Sequence, residues 1–104
     1  MKQRLSLLAL FLFLPLSSAN ANGNPELGKI KSPSCVFCHG SNGQAVNDTY
    51  PNLNGQNAEY LVQSMLSYQN GLRKGDLAAM MQAQLSRLNE QDLRDIAAFY
   101  ASQP

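Results

Sequence analysis

The sequence predicts a small all-α domain, and three observations lead there. Asn24, Asn57 and Asn89 each stand where a helix N-cap belongs. Behind the last two, apolar residues recur at helical spacing. Alternating polar–apolar runs of strand type are absent.

The chain begins with what reads as an address rather than a structural element. Lys2 and Arg4 form a positive start, Leu5 to Leu16 an apolar run broken by Pro15, and Ala19 and Ala21 an A-x-A site. The run is about a dozen residues, short of the ~20 that a spanning helix needs. A cleaved leader over residues 1–21 is therefore expected, followed by one domain over 22–104, exported to the periplasm and not held in the membrane. Cleavage removes Lys2 and Arg4, taking the formal net charge from +1 to −1. Such a chain offers no basic footprint for nucleic acid. Lys29, Lys31, Arg73 and Lys74 are either a local positive patch or ordinary solvated charges. At 83 residues the mature chain has a marginal core and is of a size that tends to need an added staple.

The first helix starts at Asn24-Pro25-Glu26, with a cap, a proline at N1 and an acid in the first turn, and runs towards Lys31. Ser32-Pro33 ends it. Cys35-Val-Phe-Cys38-His39 follows, holding every cysteine and the one histidine of the chain. Four chemistries compete for it. A disulfide would close too short a loop to stabilise much. A thioredoxin-like pair belongs beside a βαβ pattern, which is missing. Structural zinc needs four ligands, and the chain has three Cys and His residues in all.

The fourth is covalent haem attachment, for which C-x-x-C-H is the signature. On one short helical turn, Cys35 and Cys38 reach the two vinyl groups of a porphyrin, and His39 is carried under the ring toward iron. The ring would also complete the core. Histidine Nε2 is the expected ligand atom, leaving Nδ1–H in need of an acceptor such as a backbone carbonyl. Gly40 and Gly43 supply turns, close backbone passage beside the ring, or both. The positions around Cys35 to His39, Leu53 and Met81 should then enclose a cavity.

Ser41 to Gly55, rich in Asn, Gly and Pro, reads as a loop long enough to wrap a ligand. A helix over Ala58 to Asn70 is capped by Asn57 and closed by Gly71, its buried face marked by Leu61, Met65, Tyr68 and Leu72. Gly71 to Asp76 is a turn. Leu77, Met81, Leu85 and Leu88 fit the apolar stripe of a helix starting at Asp76. In the last helix Leu88 and Leu93 form a hydrophobic staple around the Asn89 cap, and Leu93, Ile96, Ala97 and Tyr100 form the stripe, with Phe99 beside them. With no second histidine, a sixth iron ligand must be a methionine, or the position stays open. Met65 reads as core filler. The residues alone leave Met80 and Met81 as alternatives.

"CVFCHGSNGQ", "YPNLNGQNAEYLVQSMLSYQNGLR" and "LNEQDLRDIAAFYASQ" resemble, in order and spacing, the small class I bacterial cytochromes c, nearest to one domain of the cytochrome c4 group. The resemblance implies a class I cytochrome c fold, with three to five helices wrapped around one covalent haem c and its iron. It implies Cys35 and Cys38 as thioether anchors, His39 as proximal ligand, and Met81, ahead of Met80, as distal ligand. It further implies the Pro51 carbonyl as acceptor for the His39 Nδ1–H, and Gly28 as the small residue where the first helix crosses the last, against Phe99 or Tyr100. Tyr60 and Arg73 fall near the haem edge, Arg73 being either a propionate partner or an exposed arginine. The cytochrome c4 proteins usually carry two such domains, so this chain looks like a single-domain relative.

The function expected is one-electron carriage with His/Met ligation, without catalytic residues, between redox proteins that dock transiently at the haem edge. A haem sensor or small haem enzyme with an open sixth position is the alternative. A haem subunit of a larger oxidoreductase is a third reading.

Overall fold

The computed structural model describes residues 9–12 and 23–104. Among them are five helices and no strand: α1 (Pro25–Lys31), α2 (Pro33–His39), α3 (Ala58–Gln69), α4 (Asp76–Leu85) and α5 (Glu90–Ala101). The expected leader lies outside the described residues apart from 9–12, which adopt neither helix nor strand. No helix among the described residues is long and apolar enough to cross a membrane.

Each asparagine cap satisfies backbone donors that the first turn of a helix leaves free. Asn24 Oδ1 accepts from the Glu26 and Leu27 N–H groups at 2.9 and 3.1 Å. Asn57 Oδ1 accepts from Tyr60 N–H at 2.9 Å. Asn89 makes a reciprocal pair with Asp92: its Oδ1 accepts from Asp92 N–H at 2.8 Å, and its own N–H donates to Asp92 Oδ2 at 3.0 Å. α3 ends one residue earlier than the sequence predicts, with Asn70 as C-cap and Gly71 turning the chain.

The apolar faces meet in one cluster: Leu61, Val62 and Met65 of α3, Leu85 of α4, and Leu93, Ile96, Ala97, Phe99 and Tyr100 of α5. Two leucines depart from expectation. Leu72 is 73% exposed because it follows the Gly71 turn, beyond the end of α3. Leu77 is 42% exposed because Ala78, one position on, takes the buried place in the first turn of α4.

The closest approach is between α1 and α5. A Cβ at Gly28 would overlap the Asp95 carbonyl and come within 2.8 Å of Phe99 Cβ, so only glycine lets the helices touch there. The Asp95 side chain, 1% exposed, ties the same crossing electrostatically. It accepts from Lys31 Nζ at 2.6 Å, Asn24 N–H at 2.8 Å and Gln91 Nε2 at 2.9 Å. Lys31 also pairs with Asp92 at 2.8 Å, so it is no part of a free positive patch. Burial by itself raises the Asp95 pKa, but the Lys31, Asn24 and Gln91 bonds outweigh it and hold the carboxyl below its usual range.

Gly28→Ala should cost on the order of 1–3 kcal/mol by overpacking, read as a lowered urea midpoint. A wild-type midpoint would mean the crossing is loose. The Asp95 pKa is lower folded than unfolded, so its stabilisation is complete above the unfolded value of roughly 3.9 and is lost as pH falls through the folded one. The melting temperature should therefore fall in that acid range, and more shallowly in Asp95→Asn. An acid limb of unchanged steepness would remove Asp95 from this role.

Candidate functional site

Only Ser32 separates α1 from α2, so the α1–α5 crossing sets where α2 begins. The Ser32 hydroxyl is buried and donates to the Gly28 carbonyl at the crossing itself. Pro33 opens α2 at N1. Cys35 and Cys38 lie three residues apart on it, on neighbouring positions of one helical face. His39 is its final residue and is 6% exposed.

His39 is held from the far side of the loop, where its Nδ1 lies 2.9 Å from the Pro51 carbonyl. Pro51 can only accept, so Nδ1 carries the proton and Nε2 is the basic nitrogen. Nε2 has no hydrogen-bond partner among the described residues, and no fully buried side-chain nitrogen or oxygen there lacks one. Nε2 therefore opens towards the surface, free for another ligand.

The loop that delivers Pro51 is tied into a fixed shape. Leu53 and Asn54 N–H groups donate to the Gly43 carbonyl at 2.7 and 3.2 Å, and Ala45 N–H to Asn52 Oδ1 at 2.7 Å. Val46 N–H donates to the Cys38 carbonyl at 3.1 Å, fastening the loop to α2. From α5, the Tyr100 carbonyl accepts from Gly55 N–H at 3.0 Å, and its hydroxyl donates to the Gly40 carbonyl at 3.4 Å. Burial, with the nearby Cys35 thiol adding to it, pushes the Tyr100 hydroxyl pKa well up, so it stays a donor. The sequence marks Tyr100 only as core. Its second role was signalled by chemistry, since a buried tyrosine hydroxyl needs a partner. Asn52 carried no such signal.

Cys35 and Cys38 are both free thiols, and burial raises the Cys35 pKa. Cys35, Leu53 and Met81 each pack, half-buried, against the main cluster. Met80 is 42% exposed, and Met65 lies inside the core. Two surface hollows among the described residues lie away from α2, one lined by Gln69, Ala79, Gln82, Ala83, Ser86 and Leu88, the other by residues of the 73–78 turn with Tyr68.

Tyr60 and Arg73 come together on the outer face of α3. Arg73 stacks over the Tyr68 ring at 4.8 Å and donates to Tyr68 Oη at 3.3 Å and Ser64 Oγ at 3.2 Å. Arg73 and Ser64 lower the pKa of the exposed Tyr60 hydroxyl. No hydrogen bond among the described residues joins Tyr60 or Arg73 to Cys35, Cys38 or His39.

These donors fit a haem of the c type. Two unbridged thiols share a helical face, and the next residue is an imidazole with Nδ1 engaged and Nε2 open. No group of three or more His, Cys, Asp or Glu residues among the described residues is disposed to share a metal ion, so zinc lacks a ligand set there.

Comparison with known proteins agrees with this chemistry. The cytochrome c family profile matches residues 29–103. Cytochrome c-554(548) of Halomonas halodenitrificans is 46% identical over 81 residues, which are 78% of this chain and 98% of that protein. Cytochrome c4 of Pseudomonas aeruginosa is 38% identical over 98 residues, 93% of this chain and 47% of that protein. Reduced recombinant cytochrome c4 from Pseudomonas stutzeri superposes with a TM-score of 0.70 at 33% identity, covering 79% of this chain and 46% of that one. The chain thus spans about half the length of these cytochrome c4 relatives.

The loop supplies its own test. Gly43 has φ +85°, and a Cβ there would lie 2.6 Å from Asn54 N and 2.9 Å from Tyr100 Cδ1. Gly75 also has positive φ (+116°), but nothing lies within 4 Å of its Cβ position. Gly43→Ala should therefore destabilise the fold by at least ~1 kcal/mol more than Gly75→Ala in urea unfolding. Equal costs would mean that the loop does not pack against Tyr100.

Proposed function

This chain belongs to the cytochrome c family, as a small class I member of the cytochrome c4 group, and on that footing we propose that it is a periplasmic one-electron carrier bearing one covalent haem c. Its work is electron transfer rather than catalysis. The observation that carries the cofactor reading is the geometry at α2, where two free thiols precede an imidazole already oriented by the Pro51 carbonyl.

Cys35 and Cys38 would hold the ring by thioether bonds, and His39 Nε2 would face iron. The carbonyl on Nδ1 fixes the tautomer and the ring angle. When bound, the haem supplies the ferrous–ferric couple. Met81 is our choice for the second residue that would hold the iron, because it rests on the same cluster as Cys35 and Leu53 while Met80 is exposed. A thioether there favours a raised potential. With iron held by both His39 and Met81, the chain would leave no open position for substrate.

We place Tyr60 and Arg73 at the edge of the ring. There the guanidinium would exchange its bonds to Ser64 and Tyr68 for a propionate. The leader read over residues 1–21 supports export. The partners are redox proteins met by transient docking.

Oxidised holoprotein should show the weak near-infrared sulfur-to-iron band. Met81→Ala should abolish it and lower the reduction potential, and Met80→Ala should leave both unchanged. The reverse pattern would reassign the ligand to Met80. A high-spin spectrum that shifts on adding carbon monoxide or cyanide would overturn the fully ligated reading.

A further inference from the structure

From Ser32 to Ala58 the chain carries one formal charge, Asp48, although this stretch contains α2 and the whole loop beside it. Charge gathers on other elements, with Lys31 on Asp92 and Asp95, and Arg94 on Glu59 and Glu90. Within the uncharged stretch three apolar side chains face outward: Phe37 at 81% exposure, Val46 at 58% and Val36 at 36%. Val36 and Phe37 lie between the two cysteines, and the bond from Val46 N–H to the Cys38 carbonyl lays Val46 beside the same turn. An aromatic ring left this far in water adds nothing to the core, and such clusters mark contact surfaces.

We propose that Val36, Phe37 and Val46 form the face through which the protein docks its redox partner, and that the partner's contact surface is itself apolar and uncharged. The inference rests on the carrier reading, in which Cys35 and Cys38 would hold the ring and so put this turn next to it. The charge pattern selects the occupant. A strongly acidic or basic partner would strip water from its charges against a stretch that carries only Asp48 to answer them. An apolar surface incurs no such cost and gains from covering Phe37. Association on this face should be nearly independent of salt.

The test is voltammetry of the holoprotein at gold coated with methyl-, carboxylate- or ammonium-terminated monolayers, the methyl surface serving as the apolar probe. Transfer should be fastest at the methyl surface and unchanged by added salt. Phe37→Asp and Val46→Asp should each slow it there, Phe37→Asp about tenfold, as expected from losing the burial of one aromatic ring. Phe37→Leu should retain most of the rate, and all variants should keep the wild-type spectrum and potential. If Phe37→Asp fails to mature, Val46→Asp decides.

Fastest transfer at a charged monolayer, or indifference to these substitutions, would overturn the proposal. So would a stable wild-type dimer in sedimentation that Phe37→Asp dissolves, since the occupant would then be a second copy. Absence of both a haem spectrum and a reversible wave would bring down the carrier reading as well. A normal wave with Phe37 and Val46 indifferent would remove the docking face alone.

Discussion

The contact between α1 and α5 at Gly28 governs the rest of the molecule. It brings two backbones together where no side chain fits, and the buried Asp95 carboxylate fastens the same crossing to Lys31 and to the Asn24 backbone. Since one residue separates α1 from α2, fixing α1 also fixes the start of the turn that carries Cys35, Cys38 and His39. The other end of the crossing helix completes the frame. Tyr100, 1% exposed, reaches from α5 to the Gly40 carbonyl, just beyond His39. A seven-residue helix has little stability of its own, so α2 depends on what holds its two ends.

The division of charge follows the division of labour. Ionic contacts cluster where α1 and α3 meet α5. Around α2 the chain uses amides, hydroxyls and backbone carbonyls instead, which fix geometry without adding formal charge. His39 is oriented in this way by one defined acceptor, the Pro51 carbonyl. A carrier that must meet and leave a partner quickly also gains from a surface that forms few strong pairs.

Much of this was legible in the sequence, for local reasons. Asn24, Asn57 and Asn89 announce α1, α3 and α5 because capping is decided within a few residues. The C-x-x-C-H cluster is legible because its chemistry requires adjacency. Leu72 misled because helical spacing continues on paper through a Gly71 turn that ends the helix in space. Lys31 read as a free charge because its partners, Asp92 and Asp95, are distant in sequence. The part played by Asn52 in shaping the loop was hidden because an irregular loop has no repeat that tells which of its amides bonds which backbone group. The Pro51 contact came from family resemblance, since nothing local to Pro51 points to His39.

The account turns on whether Cys35 and Cys38 hold a haem covalently. The most direct measurement is the intact mass of the protein purified from the periplasm, taken after acid–acetone extraction, which removes any haem that is not bonded to the chain. The account predicts a chain starting at Asn22 that carries the mass of one haem and stays coloured. A colourless polypeptide with two free thiols, and its haem left in the acetone, would contradict it.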